Sequence, residues 1–395
     1  MKLDLPASLA DELVPLLRDL VAIESVNPSL VPGGRGEAAL AAFVAEWLRR
    51  FGLEPVLEEV CAGRPNVVAV ARGTGGGRSI LLNAHLDTVG VARMAQPYSA
   101  EIQDGRLYGR GAMDTKGGLA TFMLATAAAA SADLPGDVIF AGVIDEEYAS
   151  IGTEALLTRT KADAAIVAEA TGLEIQTCHK GFVWLEVETA GLAAHGSRLE
   201  EGKDAIAKMG KFLVSLEDFG KRLASGRRHA ILGPGSVHAS LITGGQELSS
   251  YPASCRVSIE RRTLPGETAD SVKAELQDLL DRIAAADPDF KATCRVTFSR
   301  EPLSVNIDSS IVRVLENQMR EQLGREPQLG GSAGWTDAAL LTAAGIPSVV
   351  FGPAGEGLHG LHEWVDLKSV EECYSVVSGA INEFCSKPSD SLAPS

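Results

Sequence analysis

"VIFAGVIDEE", residues 138–147, runs through seven uncharged residues and then stops on three consecutive acids. A strand with one wet face alternates polar and apolar residues. A continuous apolar run of this length belongs instead to a strand buried on both faces, as in a parallel sheet. Asp145, Glu146 and Glu147 at the end of such a segment repel one another unless a cation or a proton compensates. A surface turn is therefore a poor home for them, and a metal is the simpler answer. Adjacent residues point in different directions, so one glutamate can ligate while its neighbour stays free as a general base.

Three further apolar runs end in the same way: "SILLNAH" at His85, "AAIVAE" at Glu169, and "IPSVVFG", which leads into the loop holding His359. Helical stretches such as residues 35–51 and 115–131 alternate with runs of this kind along the chain. The alternation predicts an α/β fold with buried parallel strands, in which ligands bind at the carboxyl ends of the strands. The candidate ligands all sit there.

Composition narrows the function classes. A chain of 395 residues is long for one core, so two compact units are expected. A net charge of −16 with no basic stripe argues against a nucleic-acid partner, since phosphate binding relies on clustered Lys and Arg. The longest weakly polar run, "GGLATFMLATAAAASA" from Gly117, is too short and too rich in alanine to span a membrane and reads as a buried helix. The first 25 residues read as an amphipathic helix rather than a signal peptide, and six scattered cysteines without a CxxC pair read as reduced thiols. Both point to a cytoplasmic setting. The tail "SKPSDSLAPS" reads as a frayed end.

The texture changes near Gly181. "FVWLEVETA" alternates, a helical stretch starts at Lys203, strands occupy about 236–243 and 253–262, a helix follows "LPGET", and "ATCRVTFS" closes the segment. This βαββαβ order predicts an inserted ferredoxin-like domain over residues 181–300, with residues 1–180 and 301–395 forming a discontinuous first domain.

Taken singly, the candidate residues allow ordinary readings. His85 and Asp87 stand two apart, so on a strand end Asp87 is placed to hydrogen-bond the His85 ring nitrogen left over from a metal; a polar strand end serves equally. Asp114, in the glycine-punctuated "LYGRGAMDTKGG", is either a carboxylate bridge between cations or a helix N-cap. "RGTGGGRS" at 72–79 reads as a hairpin loop, and Glu169 alone as a turn. As a set, His85, Asp114, Glu147, Glu169 and one late histidine supply two imidazoles and three carboxylates, a mix suited to two zinc-like ions sharing a bridging carboxylate. "GLHGLHEWVD", residues 357–366, offers both His359 and His362 for the last place.

The segments "LLNAHLDTV", "GRGAMDTKGG", "DEE", "VAEATG", "AHGSRLEEGKDAI", "ERRTLPGE" and "FGPAGEGLHGLHEWV", in this order, resemble the acetylornithine deacetylase and succinyl-diaminopimelate desuccinylase family of dinuclear zinc metallohydrolases. Aminoacylases and glutamate carboxypeptidases belong to the same superfamily. The resemblance implies an α/β, zinc-peptidase-like catalytic domain with a mainly parallel mixed sheet and an inserted lid and dimerisation domain. It implies that His85 and Glu169 hold one metal, Glu147 and His359 the other, and Asp114 both, with Asp87 orienting His85. His359 rather than His362 is implied because a glutamate, Glu363, follows it by four residues. Glu146 would be the general acid/base acting on a water shared by the metals, and His195 an oxyanion donor reaching the site of a partner subunit.

Arg262, two residues before "LP", is implied to grip a substrate carboxylate, leaving Arg261 solvated on the other face. Ser249 stands where many relatives carry asparagine, which puts the substrate contacts there in doubt. "GGSAGWTDAALL" resembles the glycine-rich substrate loop, with Gly334, Trp335, Thr336 and Asp337 as pocket residues; Asp337 serves equally as a helix cap. The implied activity is hydrolysis of an N-acyl amino acid with two divalent ions, zinc first and cobalt or manganese as substitutes. A carboxypeptidase or dipeptidase shares every catalytic residue. A relative that binds metal without catalysis is the reading from a different class, and Glu146 beside Glu147 speaks against it.

Overall fold

The computed structural model describes residues 10–389, so the last six residues of the tail lie outside the described residues, as do the first nine of the N-terminal helix reading. The chain divides into two compact units. One comprises the described residues up to Thr177, Val305–Gly330 and the described residues from Thr336 onward; the other comprises Cys178–Ser304 with Gly331–Trp335. The division falls a few residues from positions 180 and 300, and it assigns the short Gly331–Trp335 segment to the second unit.

The first unit is built on a mixed sheet. Its strands run in the order Val56–Cys61, Arg64–Ala71, Val138–Val143, Ile80–His85, Ala164–Val167, Ser348–Val350 and Ile175–His179. The four apolar runs supply the parallel centre: Ile80–His85 pairs in parallel with Val138–Val143 and with Ala164–Val167, which pairs in parallel with Ser348–Val350. Every residue of these four strands is buried, which is why they carry no alternation. Their register sets His85 opposite Val143 and Val167 opposite Val350, so the four carboxyl ends open on one edge.

Helices Leu13–Ala22, Ala38–Arg49, Gly117–Ala130, Ser310–Leu323 and Leu367–Cys385 share one core with this sheet. Gly117–Ala130 is buried along almost its whole length, which explains its lack of a polar stripe. Its Phe122 and the strand residue Phe140 are fully buried, each worth about 1.5–3 kcal/mol of apolar transfer. Among the described residues no helix is long and apolar enough to cross a membrane.

The loop "RGTGGGRS" is not a hairpin. The strands it joins, Arg64–Ala71 and Ile80–His85, are separated in the sheet by Val138–Val143, so the chain steps over that strand's start. Backbone there runs too close for side chains: a Cβ on Gly77 would stand 2.4 Å from the Gly136 nitrogen. The glycines serve this close approach.

The second unit shows the βαββαβ order. Strands Ser236–Gly244, Ser254–Thr263, Gly181–Ala190 and Lys291–Arg300 form an antiparallel sheet in that spatial order. Val183, Leu185 and Val187 alternate onto a core shared with Met209, Phe212 and Leu216 of helix Ala205–Ser225 and Leu276, Leu279 and Leu280 of helix Ala269–Ala286. Asp204 caps the first helix through the Ala207 N–H, and Thr268 forms a capping box with Ser271 at the second. A small hairpin, Arg228–His229 with Gly233–Pro234, adds to the expected elements.

Candidate active site

The carboxyl ends of the central strands bring five side chains of the first unit together. His85 closes its strand and is buried, with Nε2 3.0 Å from Asp114 Oδ1 and 3.9 Å from Glu169 Oε1. His359 comes from the glycine-rich loop after Ser348–Val350 and has a left-handed backbone, φ 55°. Its Nε2 lies 3.2 Å from Asp114 Oδ2 and 3.2 Å from Glu147 Oε2. Asp114 therefore turns one oxygen to each histidine.

Two groups of possible ligand atoms result: His85, Asp114 and Glu169, and Asp114, Glu147 and His359, with the atoms of each group within 4.8 Å of one another. Glu147 Oε1 and Glu169 Oε1 are buried without a hydrogen-bond partner. A buried carboxylate oxygen left unpaired is costly, and imidazole with carboxylate is a donor set suited to divalent zinc-like ions. The residues thus fit a pair of divalent cations sharing Asp114.

Electrostatics point the same way. Burial opposes charge on His85, yet its hydrogen bond to Asp114 and the charges of Glu169 and Asp114 prevail and hold it well above the usual histidine range. Hydrogen bonds to Asp114 and Glu147 push His359 up to about 10. Burial, then the charge of Glu169, pushes Glu146 well up, and burial does the same to Glu169. Acids crowded to this degree call for positive charge between them.

Asp87 departs from expectation. The strand ends at His85, so Asp87 does not share its face; His85 Nδ1 meets the Asp87 main-chain oxygen at 2.9 Å, and the nearest carboxylate oxygen is 3.7 Å away. The Asp87 carboxylate instead accepts the main-chain N–H groups of Glu146 at 3.1 Å and Glu147 at 3.2 Å. It clamps the acidic turn. The Glu146 carboxylate accepts no hydrogen bond from the described residues, in keeping with a group left free beside a ligand.

Glu363 has a structural part that its sequence position only hinted at. Its Oε1 accepts the N–H groups of Met113 and Asp114 at 3.0 and 3.2 Å, while Oε2 accepts that of Gly111 at 3.0 Å and Arg110 Nη1 at 2.6 Å. It thereby holds the loop that presents Asp114. Arg110, charged within a glycine-rich loop, was the available signal. His362 lines a surface cleft of about 360 Å³ with Arg93, Gln96 and Tyr108 and belongs to neither ligand group. Asp337, also in the first unit, makes no cap bond and accepts from Thr153 Oγ1 at 2.6 Å.

The remaining candidates belong to the second unit. His195 is exposed, its Nδ1 2.8 Å from Ser197 Oγ, and it bridges to Ser250 beside Ser249, whose carbonyl accepts the Gly196 N–H at 2.7 Å. Gly334 lies exposed in the Gly331–Trp335 segment. Arg262 is half-buried over the Phe182 ring at 5.3 Å and donates to Glu260 at 2.7 Å. Arg261 corrects the expectation of a solvated side chain: it is fully buried and paired with Glu267 at 3.0 Å and Glu275 at 3.4 Å. Helix Ala269–Ala286 and the turn before it supply these acids, so the strand's helix-covered face carries a buried ion pair.

An acetylornithine deacetylase from Myxococcus xanthus is 30% identical over 93% of this chain and 96% of its own length. An N-formyl-4-amino-5-aminomethyl-2-methylpyrimidine deformylase from Halalkalibacterium halodurans is 28% identical over 95% of each chain. The solved structure of a Staphylococcus aureus tripeptidase superposes with a TM-score of 0.79 at 22% identity, covering 95% of this chain and 98% of that one. The model of peptidase family M20/M25/M40 matches residues 81–383, a span that contains all five clustered side chains and the whole second unit, and the chain belongs to that family.

Proposed function

We propose that this protein is a two-metal amidohydrolase that cleaves N-acyl amino acids. Family membership makes it a metallohydrolase of linear amide bonds. The observation that carries the finer reading is Asp114, which faces His85 with one oxygen and His359 with the other, flanked by unpartnered oxygens of Glu169 and Glu147. His85 and Glu169 would hold one cation, Glu147 and His359 the second, and Asp114 both; zinc is the first choice, with cobalt or manganese as substitutes. Bound there, the cations supply Lewis acidity to an attacking water and to the substrate carbonyl.

The chain's own groups carry the proton and the substrate. Glu146 takes the proton from the attacking water and returns it to the leaving nitrogen, so that the amine departs neutral. Asp87 keeps Glu146 in place through its main-chain N–H. In this reading His195 donates to the developing oxyanion from a partner subunit, which makes the homodimer the active form. Arg262 exchanges Glu260 for the substrate carboxylate, and Ser249 and Gly334 belong to the substrate pocket. The names of the two curated relatives, both enzymes that remove an acyl group from a small molecule, favour a deacylase over a peptidase.

The test is hydrolysis of N-acetyl, N-succinyl, N-formyl and N-carbamoyl amino acids and of dipeptides with zinc, cobalt or manganese added. Turnover of an N-acyl amino acid ahead of any dipeptide is expected. A preference for dipeptides moves the assignment to a carboxypeptidase or dipeptidase, and full metal loading with no turnover to a binding protein.

A further inference from the structure

Beneath the acidic turn lies a buried polar network that the reaction steps above leave unexplained. Arg64, 7% exposed, opens the strand Arg64–Ala71. Its Nε and Nη2 donate to the two oxygens of Glu37 at 2.8 and 2.5 Å, and its Nη1 to Ser29 Oγ at 2.9 Å. Nη2 also reaches Asp145 Oδ1 at 2.9 Å and Asn27 Oδ1 at 3.2 Å. The Asn27 amide then bridges two acids, donating to Asp145 Oδ1 at 3.0 Å and Asp87 Oδ2 at 2.8 Å. Asp87 holds the N–H groups of Glu146 and Glu147. An unbroken line of hydrogen bonds thus joins Arg64 to the backbone of both glutamates.

Stability alone does not account for such an arrangement. Well-packed apolar side chains often replace a buried ion pair with no loss of stability, so a network that sinks Arg64, Glu37, Asp145 and Asp87 behind a reactive turn calls for another reason. The turn itself supplies one. Asp145 adopts φ 69°, a conformation that residues other than glycine rarely take. Its main-chain oxygen accepts the N–H groups of Tyr148, Ala149 and Ser150, and its Oδ2 accepts that of Ala149 at 3.2 Å. Backbone held in this way persists where the surroundings over-determine it, and here the surroundings are Arg64 and Asn27.

We propose that Arg64 and Asn27 are positioning residues that hold the Asp145 turn, so that Glu146 and Glu147 keep the separate directions that proton transfer and cation binding require. The proposal rests on the reading of Glu146 as the base and Glu147 as a ligand. Only a guanidinium can fork onto Glu37 and still reach Asp145, so Arg64→Lys keeps the charge and loses the geometry.

The experiment compares Arg64→Lys and Asn27→Ala with Leu315→Ala, a buried control in the same core whose helix, Ser310–Leu323, supplies no member of the network. Each protein is loaded with cobalt(II) and measured for kcat, KM, cobalt stoichiometry and visible absorption, which reports ligand geometry. Both network variants are expected to bind two cobalt ions with a shifted absorption band and to lose about 10- to 100-fold in kcat. KM should stay within about threefold, since ground-state binding is untouched. The control should keep both the band and the rate. Network variants that match the control in rate and band overturn the proposal. If Arg64→Lys does not fold, Asn27→Ala carries the test, because it leaves the Arg64–Glu37 pair intact. A wild-type protein that binds cobalt but turns over no substrate defeats the functional reading alone, and the absorption band then decides: shifted supports positioning, unshifted removes it. A wild-type protein that binds no cobalt overturns both.

Discussion

Asp114 and His359, 245 residues apart in the chain, meet with Oδ2 and Nε2 3.2 Å apart. The contact exists because a loop after one parallel strand and a loop held by Glu363 open on the same sheet edge. It also separates the two histidines of "GLHGLHEWVD", since His359 joins the cluster and His362 faces the cleft beside it.

The first prediction follows from that separation. His359→Ala is expected to bind one divalent ion per chain where the wild type binds two, and His362→Ala to bind two. Metal analysis of the dialysed proteins reads this directly. Equal metal content in both variants would place the second cation elsewhere.

Glu363 supports the Asp114 loop from beneath, with Arg110 buried against it at 2.6 Å. Glu363→Ala leaves that guanidinium buried and unpaired, and the expected loss is about 3–5 kcal/mol of stability. Arg295→Ala removes a pair whose arginine side chain is 66% exposed, and should cost about 1 kcal/mol at most. Urea unfolding of the two variants beside the wild type checks the contrast. Similar midpoints for both would show that the Arg110–Glu363 pair bears little of the loop.

The reading of His195 as a donor acting across a dimer predicts complementation. A His195→Ala chain and a Glu146→Gln chain, each nearly inactive, should recover part of the wild-type rate when mixed under conditions that exchange subunits, because one site of the mixed dimer is intact. No recovery, with mixed dimers demonstrated by native mass spectrometry, would confine each site to one chain.

Much of the first unit was legible in the sequence because both-face burial leaves a plain mark. The runs ending at His85, Glu147 and Glu169 lack alternation, so their strands and their shared edge follow from the pattern alone. What escaped depends on contacts between distant segments. Asn27 and Glu37 lie in the connection between helices Leu13–Ala22 and Ala38–Arg49, Arg64 opens a strand, and one at a time all three look like ordinary polar residues. Asp87 sits two residues from His85 in a place where strand geometry has already ended, so its carboxylate serves the Glu146 and Glu147 amides. Arg261 looked like a solvated strand residue because Glu267 and Glu275, its partners, arrive from the following turn and helix. The glycines at 72–79 were legible as a loop but not as a crossing, since only sheet order shows that Val138–Val143 lies between the strands they join.

In the proposed reaction Glu146 moves the proton while its neighbours hold the cations. This division of roles is tested most directly by measuring bound metal and turnover together in Glu146→Gln, on whichever N-acyl amino acid the wild type cleaves. The substitution preserves size and removes the base, so two divalent ions per chain should remain while kcat falls by about 10²- to 10⁴-fold. Wild-type turnover in a fully loaded Glu146→Gln protein would assign the proton transfer to another group.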